Sequence, residues 1–310
     1  MNPVERRRAL GWACLIAVTL IWATPRLWAK ALTEYYDSYT QNFFRYLFGA
    51  AAVWIGLPLY RRRRMPAGWD GWRRQILPAL LNSGMQIFAI QALYYIGAGL
   101  NMLLGRVSLL VSAALSYWLF AEERPLLGSR RFRVGVLVLL IGTAGLAVGV
   151  GESRSSGYFT GVALTLAASL CWGGYAVAAK RSMAGFDPMS AFAAISLISF
   201  AILSVPAIAL GDLGQVFRAG WGPFWAMAGS GALCIGVGHV LYLASLHVLG
   251  PGLVISMTAI SPALTAMLSN VIFGEPFPPL KLAAAVLTMA GTAIVVAPRR
   301  RASPPPVEEG

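Results

Sequence analysis

The stretch LIAVTLIWATPRLWAK, Leu15 to Lys30, returns as LTLAASLCWGGYAVAAK, Leu164 to Lys180. A shift of 150 residues puts Leu20 on Leu170, Trp22 on Trp172, Ala29 on Ala179 and Lys30 on Lys180, and then Asp37 on Asp187. Later pairs keep nearly that spacing. Leu93-Tyr94 falls on Leu241-Tyr242, Phe120-Ala-Glu122 on Phe273-Gly-Glu275, and the Gly-Thr-Ala run ending at Ala144 on the one ending at Ala293. Both copies are almost wholly compatible with hydrocarbon, so the repeating unit is a membrane unit and the chain is a duplicated integral membrane protein.

Composition points the same way. Of 310 residues, 57% are hydrophobic and 12% charged, about half the charged share of a soluble domain, and the mean hydropathy is +0.65. The net charge of +13 comes from short basic runs beside apolar spans, which the positive-inside rule explains without nucleic acid. Cys14, Cys171 and Cys234 lie inside apolar spans without CxxC spacing, so neither a disulfide framework nor a metal site is implied. The run after Arg6-Arg-Arg8 outlasts a signal peptide and has no clear A-x-A site, so it reads as a retained first helix.

A crossing helix needs about 20 apolar residues. That window predicts spans at 10–31, 39–60, 74–97, 101–121, 132–150, 158–181, 188–211, 222–247, 252–273 and 280–297. The expected fold is an all-α polytopic membrane protein, ten transmembrane helices as two inverted five-helix repeats, because an odd number per copy reverses the second. The repeats are expected at 8–150 and 157–298, and the Pro-rich acidic segment 299–310 is expected to be a disordered cytoplasmic tail. With a cytoplasmic N-terminus, 18 of the 25 basic residues fall inside and four (Lys30, Arg154, Arg218, Lys281) outside. Both termini are therefore expected in the cytoplasm, in a bacterial inner membrane.

The spans hold no Asp or Glu. Proton-coupled carriers usually keep such a carboxylate as a relay. His239 has a suitable unperturbed pKa and aligns with Gln91 in the repeat; it is either a neutral histidine bonded to a neighbouring helix, a cavity-lining group or a relay. Asn82 and Gln86 share a helix face, as do His239 and Tyr242, and Gln91, Tyr94 and Tyr95 extend the polar feature. These groups either bond other helices or line a wet cavity. Trp22, Trp172, Tyr175 and Tyr117 sit within spans, where tryptophan is not an interfacial anchor; they suit flat or amphiphilic solutes, or simply fill space. Arg26, Arg45 and Arg106 must face protein or water. They receive a substrate carboxylate, pair with Glu34, Asp37, Glu152 or Glu275, or snorkel. Pro25, Pro58, Pro206, Pro251 and Pro262 can interrupt helices. Gly145 with Gly149, and Ser261 with Thr265 and Ser269, form small-residue stripes for close helix contact.

On Trp22 with Lys30, Trp172 with Lys180, Phe120-Ala-Glu122, Ser261-Pro-Ala and Phe273-Gly-Glu275, the chain resembles the EamA branch of the drug/metabolite transporter superfamily over about residues 8 to 298. The aromatic and amide content of the spans is similar to that of its aromatic amino acid exporters. The resemblance implies a cavity among spans 1, 3, 4, 6, 8 and 9, alternating access and export. The small multidrug exporters carry a glutamate in their first helix; here that region holds Thr19, Trp22 and Thr24. The function expected is a passive exporter of small amphiphilic metabolites, amino acids among them; a proton-coupled antiporter using His239 is the alternative. A membrane-embedded enzyme is disfavoured by the lack of HExxH, GxSxG or paired carboxylates. The substrate-binding candidates are Trp22, Asn82, Gln86, Gln91, Tyr94, Tyr95, Tyr117, Trp172, Tyr175, His239 and Tyr242. No catalytic or metal-binding residue and no cofactor is expected. The partners are a small-molecule substrate and the lipid bilayer, with no nucleic acid and no obligatory protein partner.

Overall fold

The computed structural model describes residues 3–59, 65–66, 68–121, 124, 128–147, 156–182, 186–249, 254 and 257–296. The tail 299–310, Glu122, Glu152, Pro251 and Gly149 lie outside the described residues. Helices of the first half are α1 (Pro3–Trp22), α2 (Pro25–Ala31), α3 (Ser38–Gly56), α4 (Gly68–Ala92), α5 (Ala98–Leu104), α6 (Val107–Leu119) and α7 (Arg130–Ala147). The second half holds α8 (Tyr158–Ser182), α9 (Pro188–Leu210), the short α10 (Gln215–Arg218) and α11 (Trp221–Ser230). A π-helical turn over Gly231–Val237 runs on into α12 (Gly238–Leu249), followed by α13 (Ser261–Phe273) and α14 (Pro279–Val296). No strand occurs among the described residues. All ten predicted segments are helical over most of their described length.

Five stretches among the described residues are long and apolar enough to cross a membrane: Glu5–Glu34, Ala98–Leu119, Tyr158–Ser182, Met189–Leu210 and Trp221–Ser245. The helices α3 and α4 are more polar because they turn Gln41, Asn42, Arg45, Gln75 and Asn82 into the protein, where all five are buried.

The first segment differs from its copy for a local reason. Proline has no N–H and its ring clashes with the preceding turn. At Pro25 the helix therefore breaks: Ala23 N–H bonds to Leu20 O (3.2 Å) and Thr24 N–H to Ile21 O (3.0 Å), leaving Thr19 O without its usual helical donor. Ser261 Oγ donates to Thr19 O (3.0 Å) and Thr265 Oγ1 to Ala23 O (2.7 Å). Two hydroxyls of the small-residue stripe thus satisfy carbonyls at the break as well as allowing close contact. In the copy, Gly173 and Tyr175 occupy the corresponding positions and α8 runs unbroken. The fourth predicted span also breaks, between α5 and α6 at Gly105 and Arg106, and the ninth turns at Ala259 and Ile260 before α13. These breaks fall at equivalent places in the repeat.

Helix pairing also exchanges between the halves. The first segment, α1, lies along α12, and its copy, α8, lies along α4, the counterpart of α12. Helix α3 packs on the π-helical turn and on α9, while α7 and α14 pair with each other. Tight contact in the last pair needs glycine. A Cβ on Gly142 would collide with the Thr288 backbone nitrogen, and one on Gly291 with the Leu139 backbone. Gly142→Leu is therefore expected to destabilise by about 1–3 kcal/mol, the usual cost of overpacking. Thermal unfolding in detergent reads the loss, with Gly222→Ala, where nothing lies within 4 Å of an added Cβ, as the unaffected control.

The repeated aspartates are both helix N-caps. Asp37 accepts from Tyr39 N–H (2.8 Å) and Thr40 N–H (2.9 Å) at the start of α3. Asp187 accepts from Ser190 N–H (2.9 Å) at the start of α9, where Pro188 is already set for the first turn.

Candidate functional site

Where α1 stops, Trp22 meets α12. Its ring lies 4.8 Å from that of Tyr242 and meets His239 edge-on at 5.2 Å. Its Nε1–H donates to Cys234 O at 3.3 Å, in the π-helical turn. Such a turn shifts the ladder by one residue and re-aims side chains. His239 stacks on Phe192 of α9 at 3.9 Å, and its Nδ1 lies 2.8 Å from Ile235 O. A carbonyl can only accept, so Nδ1 carries the proton and Nε2 is the acceptor of the neutral ring. No carboxylate pairs with His239 among the described residues.

A polar group stands beside these rings. The Tyr46 hydroxyl accepts from Asn82 Nδ2 (2.7 Å) and Gln86 Nε2 (3.0 Å), and Asn82 also donates to Ser199 Oγ (3.0 Å). The spacing of four puts both amides on one face of α4, where one phenol from α3 serves them. Trp172 and Tyr175 stack in α8 at 4.9 Å. Tyr46 and Phe192 share one buried cluster, and Phe192 stacks on His239, which links the two groups.

Other candidates stand apart. Gln91 is bonded by Ser38 Oγ; Tyr94 donates to Tyr36 O and accepts from Gln41 Nε2. These three bonds join the far end of α4 to α3 and the turn before it. Tyr95 is exposed, with its ring against Gly157. Tyr117 is exposed too, with the Arg124 guanidinium 5.9 Å from its ring. The site therefore gathers Trp22, Asn82, Gln86, Trp172, Tyr175, His239 and Tyr242, and leaves out Gln91, Tyr94, Tyr95 and Tyr117. Tyr46 and Phe192 join it without having stood out in the sequence; one more aromatic in an apolar span carries no signal of its partner.

The pairing of arginines with acids needs correction. Among the described residues no carboxylate lies within ion-pair distance of Arg26, Arg45 or Arg106. Asp37 is occupied by Tyr39, Thr40 and Asp212, whose N–H donates at 2.9 Å. Glu275 accepts from Ala98 N–H at 2.8 Å and from Gly99 N–H at 3.4 Å, so its charge offsets the start of α5. A Cβ on Gly97 would overlap the Glu275 carboxylate, so a larger residue there would displace that side chain from the start of α5. Lys30 donates to Leu93 O at 2.6 Å, at the C-terminal end of α4, where a cation is favoured.

Helices of this hydropathy, with no strand among the described residues, define a multi-pass membrane protein. The EamA-like transporter family matches over residues 9–148 and again over 159–297. The chain belongs to that family, within the drug/metabolite superfamily, and its members are transporters rather than enzymes. It is 27% identical over 267 residues to the protein described as "Uncharacterized protein PA1977" of Pseudomonas aeruginosa, with 85% of each chain covered. One crystal structure shares the fold with a TM-score of 0.61 and 22% identity, over 94% of this chain and 98% of the other.

Proposed function

We propose that this protein is a carrier that moves small amphiphilic metabolites, amino acids with aromatic side chains among them, out of a bacterial cell by alternating access and without obligatory proton exchange. The ten helical segments are ten crossings of the inner membrane in two inverted halves, 8–150 and 157–298, with both termini in the cytoplasm. The observation that carries this reading is the contact of Trp22 with Tyr242 and His239 beside the Tyr46, Asn82 and Gln86 hydroxyl and amides. A flat apolar group can stack there while a polar head meets donors nearby.

An ion drives only what it binds differently in the two states of a carrier. The predicted spans hold no carboxylate, and His239 is packed between Phe192 and Trp22. In liposomes, uptake of labelled phenylalanine is expected without a pH gradient, and an imposed gradient is expected not to drive accumulation beyond equilibrium. Uphill accumulation that a protonophore abolishes would establish the antiport reading instead. The unshared Nε2 of His239 favours that second reading, and loss of coupling in His239→Gln would identify the relay.

A further inference from the structure

Among the described residues Arg26, Arg45 and Arg106 have no carboxylate within ion-pair distance, and the first two of them lie close together. Arg26 has five N–H donors, and its one recorded contact among the described residues is the Met85 thioether, with Nη2 at 3.5 Å from Sδ. Arg45, 3% exposed, donates from Nε to Ser230 Oγ (3.2 Å) and from Nη2 to Pro25 O (3.4 Å), both neutral acceptors. The two cations lie within Coulombic reach of each other and of Tyr46. Arg26 is half-buried and follows directly on the break after α1, four residues beyond Trp22.

At the repeat shift of 150, Arg26 corresponds to Ala176 and Arg45 to Ile195, so neither charge recurs in the second half, where the helix corresponding to α1 and α2 runs unbroken. A buried cation without a partner is unfavourable unless water or an anion reaches it. Cys234 ties the break after α1 to the aromatic group: its carbonyl accepts from Trp22 Nε1 at 3.3 Å and its Sγ lies 3.7 Å from Thr24 Oγ1, next to the Pro25 carbonyl that Arg45 bonds.

Building on the carrier reading above, we propose that Arg26, backed by Arg45, receives the carboxylate of the cargo, while Trp22 and Tyr242 hold its apolar body. The planar guanidinium matches a carboxylate with two parallel hydrogen bonds. No Asp or Glu occurs in the spans to receive an ammonium group. An amine on the cargo is therefore dispensable, and amphiphilic monocarboxylates are the class the site takes best.

The test titrates purified protein in nanodiscs with 3-phenylpropionate, 3-phenylpropan-1-ol and phenethylamine, read by tryptophan fluorescence, and then measures flux in liposomes. Saturable binding of the carboxylate, at least about tenfold tighter than the alcohol or the amine, is expected. Arg26→Gln should abolish that preference, and Arg26→Lys should keep part of it, because an ammonium retains charge without the fork. Equal binding of acid and alcohol by the wild type, no saturable binding of the acid, or a preference that survives in Arg26→Gln overturns the site. The wild-type comparison stands even where a variant fails to fold. Binding of the acid without flux upholds the site and overturns the carrier reading.

Discussion

Trp22→Ala is expected to lower phenylalanine flux at least about tenfold while protein yield and thermal unfolding change far less. The indole touches Tyr242 and His239 through its ring and Cys234 O through Nε1, and it packs against Gly238. Truncation removes the surface on which a flat substrate stacks and frees the carbonyl of the π-helical turn. A core tryptophan cut to alanine costs about 3–5 kcal/mol, so stability must be read beside flux. The residue is only half-buried and stands at the end of α1, so its truncation should cost less stability than that of a fully buried indole and fall mainly on transport. Trp22→Phe keeps a ring and loses the Nε1–H, so it should recover part of the flux. Loss of flux in proportion to yield would make Trp22 a packing residue, and unchanged flux in Trp22→Ala would move the site elsewhere.

Asp37→Ala is expected to be among the most damaging substitutions for stability, at about 2–4 kcal/mol, since hydrogen bonds to a charged group are worth about 1.5–3 kcal/mol each and do not add fully. One carboxylate accepts from Tyr39 N–H, Thr40 N–H, Thr40 Oγ1 (2.6 Å) and Asp212 N–H. It thereby caps α3 and ties it to the segment after α9. Burial alone would raise its pKa; the bonds from Thr40, Asp212 and Tyr39 outweigh burial and hold it below the ordinary value of 3.8. A carboxyl whose folded pKa is depressed contributes stability that is fully present above its unfolded value and is lost as the pH falls through the folded one. The gap in melting temperature between wild type and Asp37→Asn should thus be constant from about pH 7 to pH 5 and shrink below about pH 4. A gap that does not change with pH would mean that the charge of Asp37 plays no part.

How much was legible in the sequence depends on how local each feature is. The duplication and the apolar segments were readable because each rests on residues within one segment or on a constant shift between segments; that shift also matched Asp37 with Asp187, whose capping role appeared only in the structure. The break at Pro25 was signalled by the proline itself, and the shared face of Asn82 and Gln86 by helical spacing. Gln91, Tyr94 and Tyr95 looked like one continuous polar feature with Gln86. Gln91, in the last turn of α4, meets Ser38 instead, and since the helix ends at Ala92 the chain after it turns Tyr94 and Tyr95 towards Tyr36 and Gly157. Pairing with Glu34, Asp37, Glu152 or Glu275 was one of three roles open to the arginines, beside receiving a substrate carboxylate and snorkelling. Glu152 lies outside the described residues, and Asp37 and Glu275 are engaged elsewhere. Both acids instead meet backbone N–H groups, which lie nearer and, at helix starts, lack any other partner.

By itself the sequence determined that this is a two-fold repeat of membrane-compatible helices with polar groups at set positions, since hydropathy and helical period are properties of consecutive residues. Only the tertiary structure decided which of those groups meet. Trp22 and Cys234 are separated by 212 positions, and Asn82 and Ser199 by 117. Such contacts follow from how α1 lies along α12 and α4 along α9, where close packing selects among many partners that composition alone leaves equivalent.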